Sequence, residues 1–284
     1  MPSRASAGPS VIVMGFLGGF VSNDDKRHPE VGIIQRLAEG EGPKFHAVAL
    51  ENRRRTKALQ EILHWLDTDG DGRLSNEEKQ DARIILFGHS WGGSAVNKLA
   101  RELGRRGIPV VLTIQVDSIN KGWGDDCFVP ANVGRAENFY QTRGLVHGCR
   151  VLRAADPGRT QIIGNLEFEY TAQPAGCRSF SWFNRHVFKT HNAMECDPRV
   201  WARVEKEIQS QWRDAEQVRV AGVSTAVTAG RDDRLRKRGE IGQFLLSAVA
   251  NGMTERPRFP ACSIQSSATQ RPHRPSIDPV SPGH

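Results

Sequence analysis

Ile84-Ile85-Leu86-Phe87-Gly88-His89-Ser90-Trp91-Gly92-Gly93 is the stretch on which the fold turns. Ile84 to Phe87 form a short, continuous apolar run, the pattern of a strand buried in a parallel sheet. Beyond Gly93, the segment Ser94 to Leu103 has helical spacing, with Val96, Leu99, Ala100 and Leu103 on one face. Strand, G-x-S-x-G, helix is the arrangement of a nucleophile elbow. The serine has to sit on a sharp, strained turn so that its hydroxyl projects above the sheet. Gly88 and Gly92 are needed because the strand and helix backbones pass too close there for side chains. A tight glycine turn with an ordinary exposed serine is the plain alternative.

A second motif precedes the first by ten residues. Asp67 to Glu78 reads D-T-D-G-D-G-R-L-S-N-E-E and matches the EF-hand calcium loop at each position with a chemical task. Asp67, Asp69 and Asp71 stand where side-chain carboxylates face the ion, and Gly72 where the chain turns sharply. Arg73 need only offer its backbone carbonyl, Ser75 holds a water, and Glu78 binds with both oxygens. Ca²⁺ is a hard cation wanting roughly 6–8 oxygens at about 2.3–2.6 Å, which this order supplies. The bland reading is an acidic, glycine-rich solvated turn.

Composition sets outer limits. With 284 residues the chain accommodates one domain of ordinary size plus an extension. The hydrophobic fraction of 38% and mean hydropathy of −0.48 suit a soluble chain, and no apolar run approaches the ~20 residues of a membrane span. Val11 to Val21 resembles a signal-peptide core in length but lacks a charged leader and a clean cleavage site, so it reads as a first strand and loop, and a cytoplasmic location is favoured over secretion. The net charge of +7 and pI near 9.4 raise the question of nucleic acid. The basic residues are interspersed with acids, and the one dense cluster, Arg231 to Arg238, has no aromatic residues beside it, so no nucleic-acid partner is expected. Five cysteines, an odd number without a C-x-x-C, argue against a zinc site or a dense disulfide framework and leave one or two disulfides open.

Along the chain, strands alternate with helices. Strands are expected at Val11 to Met14, Phe45 to Leu50, Ile84 to Phe87 and Val110 to Val116, and helices at Pro29 to Leu37, Thr56 to Leu66, Asn76 to Ala82 and Pro198 to Trp212. The signal is mixed from Asp117 to Tyr170, with weaker strands around Cys149 to Arg153 and Thr160 to Phe168. This alternation implies an α/β fold, a mainly parallel sheet with helices on both faces. Residues 10–213 form that domain, with loop 67–78 inserted before the strand that carries Ser90. Residues 214–284 are poorly patterned and are expected to be a largely disordered extension.

The first 210 residues resemble the α/β-hydrolase family, in its lipase- and esterase-like part. The residues that carry the likeness are Gly15-Phe16-Leu17-Gly18-Gly19, the elbow Gly88 to Gly93, Asp117 after the fourth strand and His191 before the last helix. The order Ser90, Asp117, His191 agrees with the family's Ser…Asp…His order. The family more often places its acid one strand later, although some of its lipases use this earlier position. The resemblance implies that Ser90 is the nucleophile, His191 its base and Asp117 the acid that holds the imidazole. His186 is the rival base and Asp156 the rival acid; His89 reads as packing or bonding locally.

Two backbone N–H groups have to face the oxyanion of a tetrahedral intermediate. Trp91 is expected to give one, and Phe16 or Leu17, in the loop after the first strand, the other. That loop lacks the spacing of a phosphate-binding loop. Trp123, Phe128, Phe139, Tyr140, Phe180, Trp182 and Phe183 either line an acyl pocket or fill the core. The expected activity is a calcium-binding serine hydrolase acting on a small carboxylic ester, with calcium structural. The alternative is a non-catalytic calcium-binding or signalling protein on the same scaffold.

Overall fold

The computed structural model describes residues 10–39, 42, 44–122, 125–144, 146–179 and 188–211. All lie in the first of the two units into which the chain divides, 1–222. The expected extension 214–284 lies outside the described residues.

The elements run β1 (Val11–Leu17), α1 (Pro29–Ala38), β2 (Phe45–Glu51), α2 (Arg55–Leu66), α3 (Asn76–Gln80), β3 (Arg83–His89), α4 (Trp91–Arg105) and β4 (Val110–Val116). They continue with β5 (Phe128–Val129), β6 (Val133–Tyr140), β7 (Arg153–Ala154), β8 (Gln161–Glu167), α5 (Lys189–Cys196) and α6, residues 198–211. Six strands form one parallel sheet in the order β2-β1-β3-β4-β6-β8, and β5 pairs with β7 in a small parallel ribbon. The expected α/β fold with a parallel sheet is the observed one.

Strand alternation sends side chains to two apolar layers. Ile12, Met14, Phe16, Ile84 and Leu86 pack beneath Ala58, Ile62 and Leu66 of α2 and Val96, Leu99, Ala100 and Leu103 of α4. Val13, Leu17, Ile85, Phe87, Leu112 and Ile114 face the other way, against Val31, Ile34 and Leu37 of α1 and Val200, Val204 and Ile208 of α6. Full burial of each Val, Leu, Ile, Phe or Met side chain among them stabilises the fold by about 1.5–3 kcal/mol.

The order reverses at β1, whose neighbours are β2 on one side and β3 on the other. That reversal opens a crevice beyond the carboxyl ends of β1 and β3, where ligands bind in open α/β sheets. Ser90 follows β3 directly, and the acidic loop 67–75 lies between α2 and α3, at the opposite end of β3.

Two elements differ from the sequence reading. β6 was not expected, because Arg135, Glu137 and Asn138 interrupt its apolar pattern. Glu137 is nonetheless fully buried, accepting hydrogen bonds from Arg203 Nε at 3.0 Å and Nη2 at 2.8 Å. His191 lies within a short helix of its own, α5, rather than in a loop entering the last helix. Disulfides join Cys127 to Cys149 and Cys177 to Cys196.

Candidate active site

Ser90 occupies the turn between β3 and α4 with φ 56° and ψ −124°. A non-glycine residue at positive φ is strained by about 1–3 kcal/mol and persists only where its surroundings enforce it. Here the Ser90 N–H donates to Val116 O at 2.9 Å, and Ser90 O accepts from the N–H of Ile119 at 3.1 Å. The flanking glycines make the turn sterically feasible. A Cβ on Gly92 would stand 1.9 Å from Phe16 O, and one on Gly88 would stand 2.7 Å from both Phe16 O and Gly92 C.

The hydroxyl of Ser90 is 2.8 Å from His191 Nε2, and His191 Nδ1 is 2.7 Å from Asp117 Oδ2. The three residues come from the ends of β3 and β4 and from α5, and all are buried. The network assigns the tautomer: Nδ1–H donates to the carboxylate, leaving Nε2 to accept from the serine. Asp117 has φ 42° and no exposed surface. It also accepts from the Gly148 N–H at 2.6 Å and from Gln141 Nε2 at 3.0 Å. With three donors around it, the carboxylate is fixed in orientation. The two disulfides brace this arrangement: Cys149 follows Gly148, and Cys196 ends the helix that carries His191.

The rival acid Asp156 accepts from the Gly158 N–H at 2.9 Å in a turn after β7. The rival base His186 lies outside the described residues. His89 is buried and stacks on His191, with ring centroids 4.5 Å apart. Burial holds the imidazole of His89 down at about 4, against the pull of the Glu195 carboxylate. It is therefore neutral when His191 takes up a proton, and the stack brings no second charge.

Trp91 is the first residue of α4, so its N–H belongs to the helix end that lacks intrahelical acceptors. Phe16 and Leu17 are the last two residues of β1 rather than part of a loop. The residue following them, Gly18, runs closest to the serine: a Cβ there would stand 3.0 Å from Ser90 Cβ.

A cleft of about 750 Å³ opens above Ser90, with Phe20, Val21, Trp91, Ile119, Val146 and Phe188 as its apolar lining. Phe20 is 82% exposed and meets Trp91 edge-on at 5.3 Å. Of the aromatic residues expected to line a pocket, Phe128, Phe139 and Tyr140 do not line this cleft, and Phe139 is fully buried in the core. Trp123, Phe180, Trp182 and Phe183 lie outside the described residues.

In the acidic loop, carboxylate oxygens of Asp67, Asp69 and Asp71 lie within 4.8 Å of one another. Asp67 accepts from the N–H groups of Gly70 and Gly72, each at 2.9 Å, and Asp71 from that of Arg73 at 2.7 Å. Glu78 closes the loop on itself: Oε1 accepts from the Thr68 N–H at 2.7 Å and Oε2 from the Ser75 N–H at 2.9 Å. Those bonds, the one from Ser75 foremost, hold the Glu78 carboxyl down at about 2. The donors are all oxygens and the chain turns at Gly72 with φ +78°, a set that fits a hard divalent cation. Among the described residues, no helix is long and apolar enough to cross a membrane.

No protein-family model and no curated protein matches the chain. Among solved structures, it is similar to a protein described as a hydrolase of the alpha/beta superfamily from Xanthomonas campestris pv. campestris. That likeness has 12% identity and a TM-score of 0.30, over 64% of this chain and 95% of that one. The chain is also similar to a cutinase-like protein from Cryptococcus sp., with 11% identity and a TM-score of 0.30, over 68% of this chain and 98% of that one. Neither likeness carries weight for function; the side-chain geometry does.

Proposed function

We propose that this protein is a serine hydrolase that cleaves a carboxylic ester of modest size through Ser90, His191 and Asp117. The observation that supports the reading is the hydrogen-bonded series itself, 2.8 Å from Ser90 Oγ to His191 Nε2 and 2.7 Å from His191 Nδ1 to Asp117 Oδ2. A serine hydroxyl is a poor nucleophile until a base takes its proton. As Oγ attacks the ester carbonyl, His191 Nε2 accepts that proton, and Asp117 stabilises the imidazolium. The carbonyl oxygen becomes an oxyanion held by the Trp91 N–H and by a second backbone donor from the Phe16–Leu17–Gly18 segment. Each such donor is worth about 10²–10³ in rate. His191 then protonates the departing alkoxide and leaves an acyl-enzyme. Water, deprotonated in turn by His191, releases the acid. The apolar lining from Phe20, Trp91, Ile119 and Phe188 favours an ester with an apolar acyl or alcohol group.

Calcium belongs to the same reading as a structural ion. The carboxylates of Asp67, Asp69, Asp71 and Glu78 and the carbonyl of Arg73 would hold it, and it supplies charge neutralisation to a crowded loop. The two disulfides favour an oxidising compartment over the cytoplasm.

The test is hydrolysis of short p-nitrophenyl esters by purified protein. Ser90→Ala should remove turnover by about 10⁶-fold, the scale of nucleophile loss in a serine protease, with the far-ultraviolet circular dichroism unchanged. Equal activity in the two proteins would sink the reading.

A further inference from the structure

Beside the serine and its base lies a second group of ionisable side chains that ester cleavage does not use. His28 caps α1, Glu30 sits in its first turn, and Glu195 stands in the last turn of α5. All three are buried, and each brings a ligand-type atom within 4.8 Å of the other two. His28 Nδ1 and Glu195 Oε1 are hydrogen-bonded. His28 Nε2 faces Asp25 Oδ2 at 3.6 Å, and Asp25 is gripped by Arg27, Nε to Oδ1 at 2.8 Å.

One member of the group, Glu30, and its neighbour His89 are unsatisfied. Glu30 has no exposed surface, and neither carboxyl oxygen makes a hydrogen bond of good geometry. Burial, and then the Glu195 carboxylate beside it, push its carboxyl well above the usual carboxylate range; the nearby N–H groups of Glu30 and His89 only soften this. His89 is 2% exposed and neither ring nitrogen is hydrogen-bonded, while its Nδ1 stands 3.7 Å from Glu195 Oε2. An unpartnered carboxyl in a dry interior is costly, and an apolar residue of the same size would be tolerated better.

We propose that His28, Glu30 and Glu195 form a binding site for a divalent metal ion of the zinc class, with His89 as the fourth group facing it. The donor set decides the class. One or two imidazoles with two carboxylates suit Zn²⁺ and its neighbours, whereas calcium takes oxygen alone. Two glutamates also balance the charge of a divalent ion. Asp25, behind His28, is the carboxylate that commonly orients a ligating imidazole by its other nitrogen. His28 and Glu195 both line the cleft above Ser90, so an ion can reach them from solvent. The site is distinct from the acidic loop and does not depend on Ser90.

The experiment uses the full chain, stripped with chelator and then exposed to Zn²⁺ in excess Ca²⁺, so that the acidic loop is already occupied. Bound zinc is counted by elemental analysis after gel filtration, and Co²⁺ serves as a visible-absorbing substitute. One equivalent of zinc is expected in the wild type and in Glu78→Gln. Glu30→Gln and His28→Gln should lose it, and Asp25→Asn should bind it about 10–100-fold more weakly. If His28→Gln does not fold, Glu30→Gln decides, since it keeps the shape and takes away only the carboxylate that would ligate the ion. The proposal is overturned if the wild type retains no zinc, if Glu30→Gln retains as much, or if Glu78→Gln is the variant that loses it.

Discussion

The two ends of β3 carry two glycine-rich turns built on opposite principles. At its carboxyl end, the turn at Ser90 is buried and crowded, and Gly88 and Gly92 are there for space: a Cβ on either would meet backbone atoms at 2.7 Å or less. At its amino end, the acidic loop is exposed, and a Cβ on Gly72 would meet nothing within 4 Å. Gly72 is there for its φ of +78°. The first turn is held by the rest of the fold; the second is held by its own carboxylates. The strand between these ends is seven residues long, roughly 23 Å at the usual rise per residue, and α3 stands between it and the loop. In the function proposed above, the chemistry belongs to the buried end and calcium-dependent stability to the exposed one.

The sharpest division between the ends comes from Asp117→Asn. It should lower kcat by about 10⁴-fold with little change in KM, because the amide misorients His191 (the magnitude seen in a well-studied serine protease). Asp156→Asn should do nothing measurable. Steady-state kinetics on both variants checks this, and the reverse pattern would move the acid to the turn after β7.

Gly92→Ala comes next. A methyl group 1.9 Å from Phe16 O cannot be relieved by a rotamer change, so β1 and α4 have to separate. A loss of stability at or above the usual overpacking range of about 1–3 kcal/mol is expected, together with loss of esterase activity. Denaturant unfolding would contradict the close-approach account if the variant were as stable as the wild type.

Calcium should act on stability alone. Binding to the folded form stabilises it by about 2.7 kcal/mol at a hundred times Kd. Thermal unfolding with Ca²⁺ and with chelator should show the shift, and Glu78→Gln should lose it. Below the melting range, kcat should be the same in either condition, since the loop and the serine lie at opposite ends of β3. A fall in kcat on chelation would break the separation, and an unmoved melting temperature would leave an EF-hand in sequence only. The smallest effect is expected from Gly72→Ala, about 1–2 kcal/mol of left-handed backbone strain with unchanged kcat.

Much of this was legible in the chain because the signals were local. The elbow declares itself within Gly88–Gly93, and β1, β3 and β4 are runs of apolar residues that can hardly be anything but buried. β6 was illegible because Glu137 looks like a surface residue until Arg203, on α6, is seen to neutralise it. The helix α5 was illegible because K-T-H-N-A-M-E-C has no apolar stripe; its position is set by the Cys177–Cys196 bridge and by contacts from His191 and Glu195. Asp117 was named by its place at a strand end, but nothing in the sequence announced Gln141 and Gly148, which donate hydrogen bonds to it. The cluster of His28, Glu30 and Glu195 was invisible for the same reason. Its members lie 167 residues apart at the widest and share no motif.

The most direct measurement is labelling by a fluorophosphonate, which forms a stable bond only with a serine activated by its neighbours. The account predicts one modified residue, Ser90, identified by peptide mapping, with labelling lost in Ser90→Ala and strongly slowed in His191→Ala. Chelation of calcium should leave it intact while the fold holds. Absence of labelling, or labelling at another serine with Ser90 untouched, would contradict the claim that the buried end of β3 carries the chemistry.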